Sequence, residues 1–121
     1  RISPSYQQRN NAGASAILQS IRFVKTENIK QIICERFGPY CEQAIVIARC
    51  ESGFNPRSIN YNDANITGFN SWGLFMHNEP QFIGWDDPVV STDKAWTKFS
   101  RRGWQPWTNC AIKNGLIYNN I

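Results

Sequence analysis

Apolar residues recur every three or four positions in several stretches of the chain, and this spacing places them on one side of a helix. The first two sets precede a Gly38-Pro39 corner, and they are Ala14, Ile17, Leu18 and Ile21, then Ile29, Ile32, Ile33 and Phe37. Thr26 can cap the second helix, and Gly38 and Pro39 end it. Residues 21–25 would also fit a short strand, and we favour the helix.

Residues 44–48 are apolar on every side, which predicts a helix buried at the centre of a domain. We expect this helix to run from about Tyr40 to Glu51, because Gly53 and Pro56 then stop it. The predicted helix therefore ends on a carboxylate that lies among apolar residues.

The stretch from Asn55 to Asn70 is rich in asparagine and predicts a loop or a small hairpin that leads into Ser71. Asp87 followed by Pro88 predicts the start of another helix. The inner face of that helix is expected to carry Thr92, Ala95, Trp96 and Phe99. The whole pattern predicts a mainly α domain, of the α+β kind, in which the asparagine-rich segment forms one wall of a cleft.

A chain of 121 residues is long enough for one domain with its own core. Residues 1–12 hold few apolar side chains and predict a loosely held arm, so the domain is expected to cover residues 13–121. No apolar run is long enough to span a bilayer. Because the sequence has no initiating methionine and no signal-like stretch, we expect a mature form or an excised domain.

Four cysteines, Cys34, Cys41, Cys50 and Cys110, are even in number and widely spaced, which favours two disulfides and an oxidising compartment. Three connectivities are possible. We expect Cys34 to pair with Cys41 across the Gly38-Pro39 corner, and Cys50 to pair with Cys110 and tie the tail to the helix of Glu51. Four reduced cysteines in a cytosolic protein are the alternative.

The net charge of +4 suits an anionic partner, and bacterial cell walls and nucleic acids are both anionic. Lysine and arginine are spread along the chain without forming a long basic stripe, which argues against nucleic acid as the partner. His77 is the only histidine, so we expect no metal site. We also expect no cofactor. We expect a monomer.

The position of Glu51 predicts a carboxyl group that keeps its proton near neutral pH. The negative end of the helix dipole and the surrounding apolar residues both disfavour the ionised form and raise the pKa. Protonation of a departing glycosidic oxygen needs such an acid.

Two motifs, residues 49–56 (Arg-Cys-Glu-Ser-Gly-Phe-Asn-Pro) and residues 71–75 (Ser-Trp-Gly-Leu-Phe), resemble the lytic transglycosylase and goose-type lysozyme superfamily. In that superfamily a helix-ending Glu-Ser precedes a Gly-Leu-(Met/Phe)-Gln turn across the substrate cleft. The resemblance extends over about residues 37–110 and includes Asp87-Pro88 and the segment 103–107 with Cys110. It implies a lysozyme-like fold, cleavage between N-acetylmuramic acid and N-acetylglucosamine, and Glu51 as the general acid and base.

The sequence departs from the superfamily at two places. Met76 stands where the superfamily has a glutamine that contacts sugar. The later Tyr-Asn-Ala-Gly motif, which supplies a tyrosine near the catalytic carboxyl, has no counterpart between Trp85 and Ile121. The mechanism could therefore differ from that of the larger transglycosylases.

Five further residues are candidates for contact with substrate. Asn60 and Ser71 lie at superfamily positions near the acid, where they could orient the carboxyl group or a water molecule, or could simply form turns. Asp63 is the candidate second carboxylate, which an inverting hydrolase needs to activate water. Trp72 is the best candidate for stacking on a sugar face. Met76 replaces the expected sugar contact.

These features predict an enzyme of the lytic transglycosylase type that acts on peptidoglycan and is extracellular, periplasmic or associated with the cell wall. A hydrolytic lysozyme is the first alternative, and a non-catalytic module that binds the cell wall is the second. Chitin is an alternative substrate.

Overall fold

The structure is a computed structural model that describes residues 25–118, and within this range it is mainly helical with a small three-stranded antiparallel sheet. The predicted arm and the predicted helix over residues 14–21 lie outside the described residues. The helices are α1 over residues 25–37 of the described chain, α2 Cys41–Ser52, α3 Ala64–Thr67, α4 Pro88–Arg102 and α5 Thr108–Lys113. Short 3-10 turns cover Gly38–Tyr40, Tyr61–Asp63 and Gln105–Trp107.

Helix α1 buries three of the four residues on the face that its apolar spacing predicts, and the fourth, Ile32, is half-buried. Ile29, Ile33 and Phe37 are buried on one side of the helix, and the 3-10 turn at Gly38–Tyr40 then redirects the chain into α2. Residue 25 is already helical, so Thr26 lies inside the helix and the prediction that it caps the helix was wrong. The expected Cys34–Cys41 pair spans this corner with its Cα atoms 4.5 Å apart.

Helix α2 runs one residue later than expected at each end and buries only part of its surface. Ala44, Ile47 and Ala48 are buried, whereas Ile45 and Val46 are half-buried. The prediction of burial on every side was therefore too strong, because neighbouring elements such as α5 cover one side of α2.

The sheet is built from three strands of two residues each, in the order β1-β2-β3. Strand β1 (Ile59–Asn60) pairs with β2 (Ser71–Trp72), and β2 pairs with β3 (His77–Asn78). The asparagine-rich segment therefore does lead into Ser71 as part of a hairpin. Its interior holds a 3-10 turn and helix α3, which the turn-like composition did not predict.

Helix α4 begins where Asp87 and Pro88 predict, because Asp87 Oδ1 accepts a hydrogen bond of 2.8 Å from the backbone N–H of Val89. Its inner face buries Thr92 and Ala95, and it packs Trp96 and Phe99 against the core.

Aromatic rings join the helices at the centre of the core. Phe37 packs on Phe75 and on Trp104, with ring centroids 5.9 and 5.8 Å apart. Trp107 is also buried, and its indole N–H donates to the backbone oxygen of Phe75. The expected Cys50–Cys110 disulfide, with Cα atoms 5.9 Å apart, links α2 to α5 beside this core. The bridge therefore braces the end of the helix that carries Glu51.

Among residues 25–118, no helix combines the length and the apolar character that crossing a membrane requires.

Candidate active site

Glu51 is the penultimate residue of α2 and is half-buried. The helix ends here because Gly53 takes a left-handed conformation with φ of 62°, and its N–H donates to the backbone oxygen of Arg49 over 2.9 Å. The carboxyl group therefore lies in the last turn of a helix, at the negative end of the helix dipole.

Burial is the main cause of the unusually high pKa of the Glu51 carboxyl. Burial and, to a smaller extent, the negative charge of Asp63 together raise the pKa of the Glu51 carboxyl from 4.5 to about 7. The Glu51 carboxyl can therefore hold its proton near neutral pH, as a general acid must.

A tight turn at residues 73–76 lies against the end of α2. The hydroxyl of Ser52 donates to the backbone oxygen of Leu74 over 2.7 Å, and this bond joins the two sequence motifs, which are some twenty residues apart. The N–H of Gly73 donates to the backbone oxygen of Ser58 over 2.7 Å, and the hydroxyl of Ser91 accepts from the N–H of Phe75 over 3.1 Å. The turn is thereby fixed relative to Glu51 from both sides.

Three of the candidate polar residues lie together at the small sheet. Asn60 is paired with Ser71 in the register of β1 and β2, and the Ser71 hydroxyl donates to Asp63 Oδ2 over 2.6 Å. Asn60 Oδ1 accepts from the N–H of Asn62 over 2.9 Å, so its oxygen is used to begin the 3-10 turn. Ser71 is buried and holds Asp63, whose charge acts on Glu51.

The remaining two candidates lie elsewhere on the hairpin. Trp72 is half-buried, its ring packs edge-on against Trp85 at 5.4 Å, and its indole N–H donates to the backbone oxygen of Glu79. Met76 is half-buried, has a positive φ of 49°, and lines a cavity next to α4. Neither side chain forms a hydrogen bond with Glu51.

Other aspartates near this region have structural partners. Asp86 forms a salt bridge of 3.3 Å with Arg57, Asp87 caps α4, and Asp93 forms a salt bridge of 3.1 Å with Arg36. Among these carboxylates and Asp63, only Asp63 acts on the pKa of Glu51.

A polar network that the sequence did not predict lies under β3. His77 is buried, its Nε2–H donates to the backbone oxygen of Ser91, and its Nδ1 accepts from Lys98 Nζ over 2.9 Å. Burial, together with the charge of Lys98, lowers the pKa of His77 to about 4, so the ring is neutral at neutral pH.

Glu79 completes this network by accepting from Lys94 over 2.7 Å and from Lys98 over 3.0 Å. Burial alone would raise the pKa of Glu79, but the hydrogen bonds and charges of the two lysines outweigh it and leave that pKa below its ordinary value. A lone histidine and scattered lysines carry no periodic signal, so only the tertiary structure shows the network. Within residues 25–118, no group of three histidine, cysteine or acidic side chains is arranged to hold a metal ion.

We predict that Glu51→Gln stabilises the protein at alkaline pH. The folded-state pKa of about 7 lies above the ordinary 4.5, so the group adds no penalty below about pH 4.5. The penalty grows between about pH 4.5 and about pH 7 and is fully present at higher pH. The substitution should raise the free energy of unfolding by about 1–3 kcal/mol near pH 8, and by far less near pH 4. Urea denaturation at the two pH values measures the difference.

The titration of His77 is common to both proteins and cancels in this comparison. Glu42→Gln serves as the matched control, because Glu42 is exposed on the same helix. An equal effect of Glu51→Gln at both pH values would show that the Glu51 carboxylate is well solvated.

Comparisons with protein-family models, with curated proteins and with solved structures find no match to this chain. Function therefore has to be inferred from the residues around Glu51.

Proposed function

We propose that this protein cleaves peptidoglycan strands between N-acetylmuramic acid and N-acetylglucosamine, with Glu51 as the general acid. The observation that carries the proposal is the half-buried Glu51 carboxyl, whose pKa is raised to about 7 at the end of α2. The fixed turn beside it supports the proposal, because it joins the Glu-Ser motif to the Gly-Leu-Phe motif through Ser52 and Leu74. A lysozyme-like fold and a location at the cell wall are parts of the same proposal.

In the proposed reaction, protonated Glu51 gives its proton to the glycosidic oxygen as the bond from that oxygen to the anomeric carbon breaks. The oxygen leaves as a hydroxyl group, and Glu51 is left as a carboxylate. In a transglycosylase, the C6 hydroxyl of the muramic acid then attacks the anomeric carbon and gives its proton to Glu51. This step forms an anhydro ring, consumes no water, and returns Glu51 to its starting state.

Hydrolysis is the second candidate route, and the position of Asp63 favours it. The charge of Asp63 is close enough to Glu51 to raise the pKa of that carboxyl, so two carboxyl groups belong to one site. In an inverting hydrolase the second carboxylate accepts a proton from the attacking water. Against this role, Asp63 Oδ2 already accepts a hydrogen bond from Ser71, and the transglycosylase route requires no second carboxylate.

The route can be tested by digesting purified peptidoglycan in water labelled with heavy oxygen. A transglycosylase yields anhydro-muramic ends without label, and this is the result that we expect. A hydrolase yields reducing ends that carry one labelled oxygen for each bond cleaved, and Asp63→Asn should then abolish cleavage. Binding to the wall without any product would support a non-catalytic module. Cleavage of chitin but not of peptidoglycan would change the assigned substrate to chitin.

The pH dependence of cleavage provides a separate prediction. Because Glu51 has to be protonated to act as an acid, and its pKa is about 7, the rate should fall as pH rises above that value. The expected loss approaches tenfold for each pH unit well above the pKa, since the protonated fraction falls by that factor. Initial rates of muropeptide release between about pH 5 and about pH 9 measure this fall in the cleavage rate. A rate that stays constant above neutral pH, with the protein folded throughout, would contradict the assignment.

A further inference from the structure

A cavity of about 430 Å³ lies between strand β3 and the C-terminal half of α4, on the side of the turn that carries Met76. Trp107 and Pro106 from the 3-10 turn before α5 complete its apolar wall. None of the substrate chemistry proposed for Glu51 uses this cavity. Its volume falls within the range of about 300–1,000 Å³ that is typical of sites for small organic ligands.

The charged side chains that line the cavity are all basic: Lys98, Arg101 and Arg102. Lys98 is already engaged by Glu79 and His77, so its charge is partly offset. Arg101 and Arg102 are exposed in the last turn of α4, and neither forms a salt bridge with any residue in the range 25–118. Two guanidinium groups are therefore available to an anion in the cavity.

The dipole of α4 accounts for basic residues in its last turn, but it does not account for the cavity that they line. A single inorganic anion would leave most of 430 Å³ empty. The lining also combines the apolar surfaces of Met76 and Trp107 with the side-chain amide of Gln105. This combination suits a ligand that carries carboxylates on a short amide backbone, because guanidinium groups pair with carboxylates and amides pair with peptide groups.

The cavity is close to the candidate acid along the turn. Leu74 accepts the hydrogen bond from Ser52, the neighbour of Glu51, and Met76 lies two residues further on at the cavity. Two residues span at most about 7 Å of extended chain. The turn therefore connects the cavity wall to the end of α2 that carries Glu51.

We propose that this cavity binds the acidic stem peptide that peptidoglycan carries on its muramic acid residues, with Arg101 and Arg102 pairing with its carboxylates. This inference rests on the proposed function, since it assigns a second part of the same substrate to a second part of the site.

The test is a calorimetric titration of the whole protein with N-acetyl-L-alanyl-D-glutamic acid, which has two carboxylates. The matched ligand is the same dipeptide with both carboxylates converted to amides. We expect the diacid to bind about tenfold or more tightly than the diamide, and Arg101→Gln and Arg102→Gln each to weaken binding of the diacid by about three- to tenfold. Lys113→Gln is the charge control, because Lys113 is exposed on α5 and does not line the cavity.

Three results would overturn the inference. The first is equal binding, or no binding, of the diacid and the diamide. The second is a loss of affinity in Lys113→Gln as large as in the arginine variants, which would indicate an effect of net charge alone. The third is displacement of the diacid by inorganic phosphate at equal concentration, which would indicate a simple anion site.

The titration involves no cleavage, so it separates this inference from the proposed function. If the protein binds the peptide but does not cleave peptidoglycan, only the proposed role of Glu51 is contradicted. If the protein cleaves peptidoglycan but does not bind the diacid, only the proposed role of the cavity is contradicted.

Discussion

Glu51→Gln should abolish most of the glycan cleavage, lowering the rate by about a hundredfold to ten-thousandfold. The amide has nearly the same shape as the carboxyl group but cannot donate an acidic proton to the leaving oxygen. The raised pKa of about 7 keeps the Glu51 carboxyl protonated near neutral pH, and the substitution removes this acid. Release of soluble muropeptides from purified peptidoglycan, followed over time, measures the rate.

The control for this loss is Glu42→Gln, which removes an exposed carboxylate from the first turn of the same helix and should leave the rate unchanged. Circular dichroism should show that both variants are folded, and Glu51→Gln should be at least as stable as the unmodified protein near pH 8. A rate for Glu51→Gln within about a factor of three of the unmodified protein would exclude Glu51 as the acid.

Gly73→Ala should destabilise the protein by about 2–5 kcal/mol, which is a large part of the stability of an ordinary domain. Gly73 has a φ of 82°, which an alanine adopts only with strain. An added methyl group would also collide with the backbone oxygen of Trp85, which cannot move as a flexible side chain could. Because Gly73 begins the turn that Ser52 ties to α2, cleavage should fall together with stability. Urea denaturation and the cleavage assay measure the two effects.

Gly68→Ala separates the cost of backbone strain from the cost of the collision with Trp85. Gly68 has a similar φ of 90°, but a methyl group there would meet no atom of the described residues within 4 Å. We therefore expect Gly68→Ala to cost only about 1–2 kcal/mol, the strain alone. Equal costs for the two variants would contradict the close approach of Trp85 to Gly73.

The start of α4 and the glycine that ends α2 were predictable because they depend on local chemistry, whereas the predicted Thr26 cap of α1 was wrong. Asp87 and Pro88 supply a side-chain cap and a preset φ at the start of α4, and Gly53 supplies the left-handed residue that ends α2. The apolar spacing of α1 likewise predicted the side that buries Phe37. Neighbours in sequence decide such features, so the sequence is sufficient to place them.

The sheet and α3 were harder to predict because their elements are too short to show a period. Strands of two residues, Ile59–Asn60 among them, cannot show an alternation of apolar and polar positions. The four residues Ala64–Thr67 are too few for a helical repeat. Their positions depend on pairing with Ser71–Trp72, which is a contact between distant parts of the chain.

The candidate site likewise combines features that the sequence predicts with features that depend on tertiary contacts. The apolar residues before Glu51 predicted a raised pKa, and the structure gives that direction together with the further effect of Asp63. The hydrogen bond from Ser71 to Asp63 and the network around His77 depend on tertiary contacts and could not be predicted from spacing. The cavity beside Arg101 also requires the folded positions of β3 and α4.

The most direct test of the central claim is mass spectrometry of purified peptidoglycan after incubation with the disulfide-bonded protein and, in parallel, with Glu51→Gln. The proposal predicts new glycan ends at muramic acid with the unmodified protein, in anhydro form, and none with Glu51→Gln. New ends from both proteins, or from neither while both are folded, would contradict the claim that Glu51 cleaves the glycan strand.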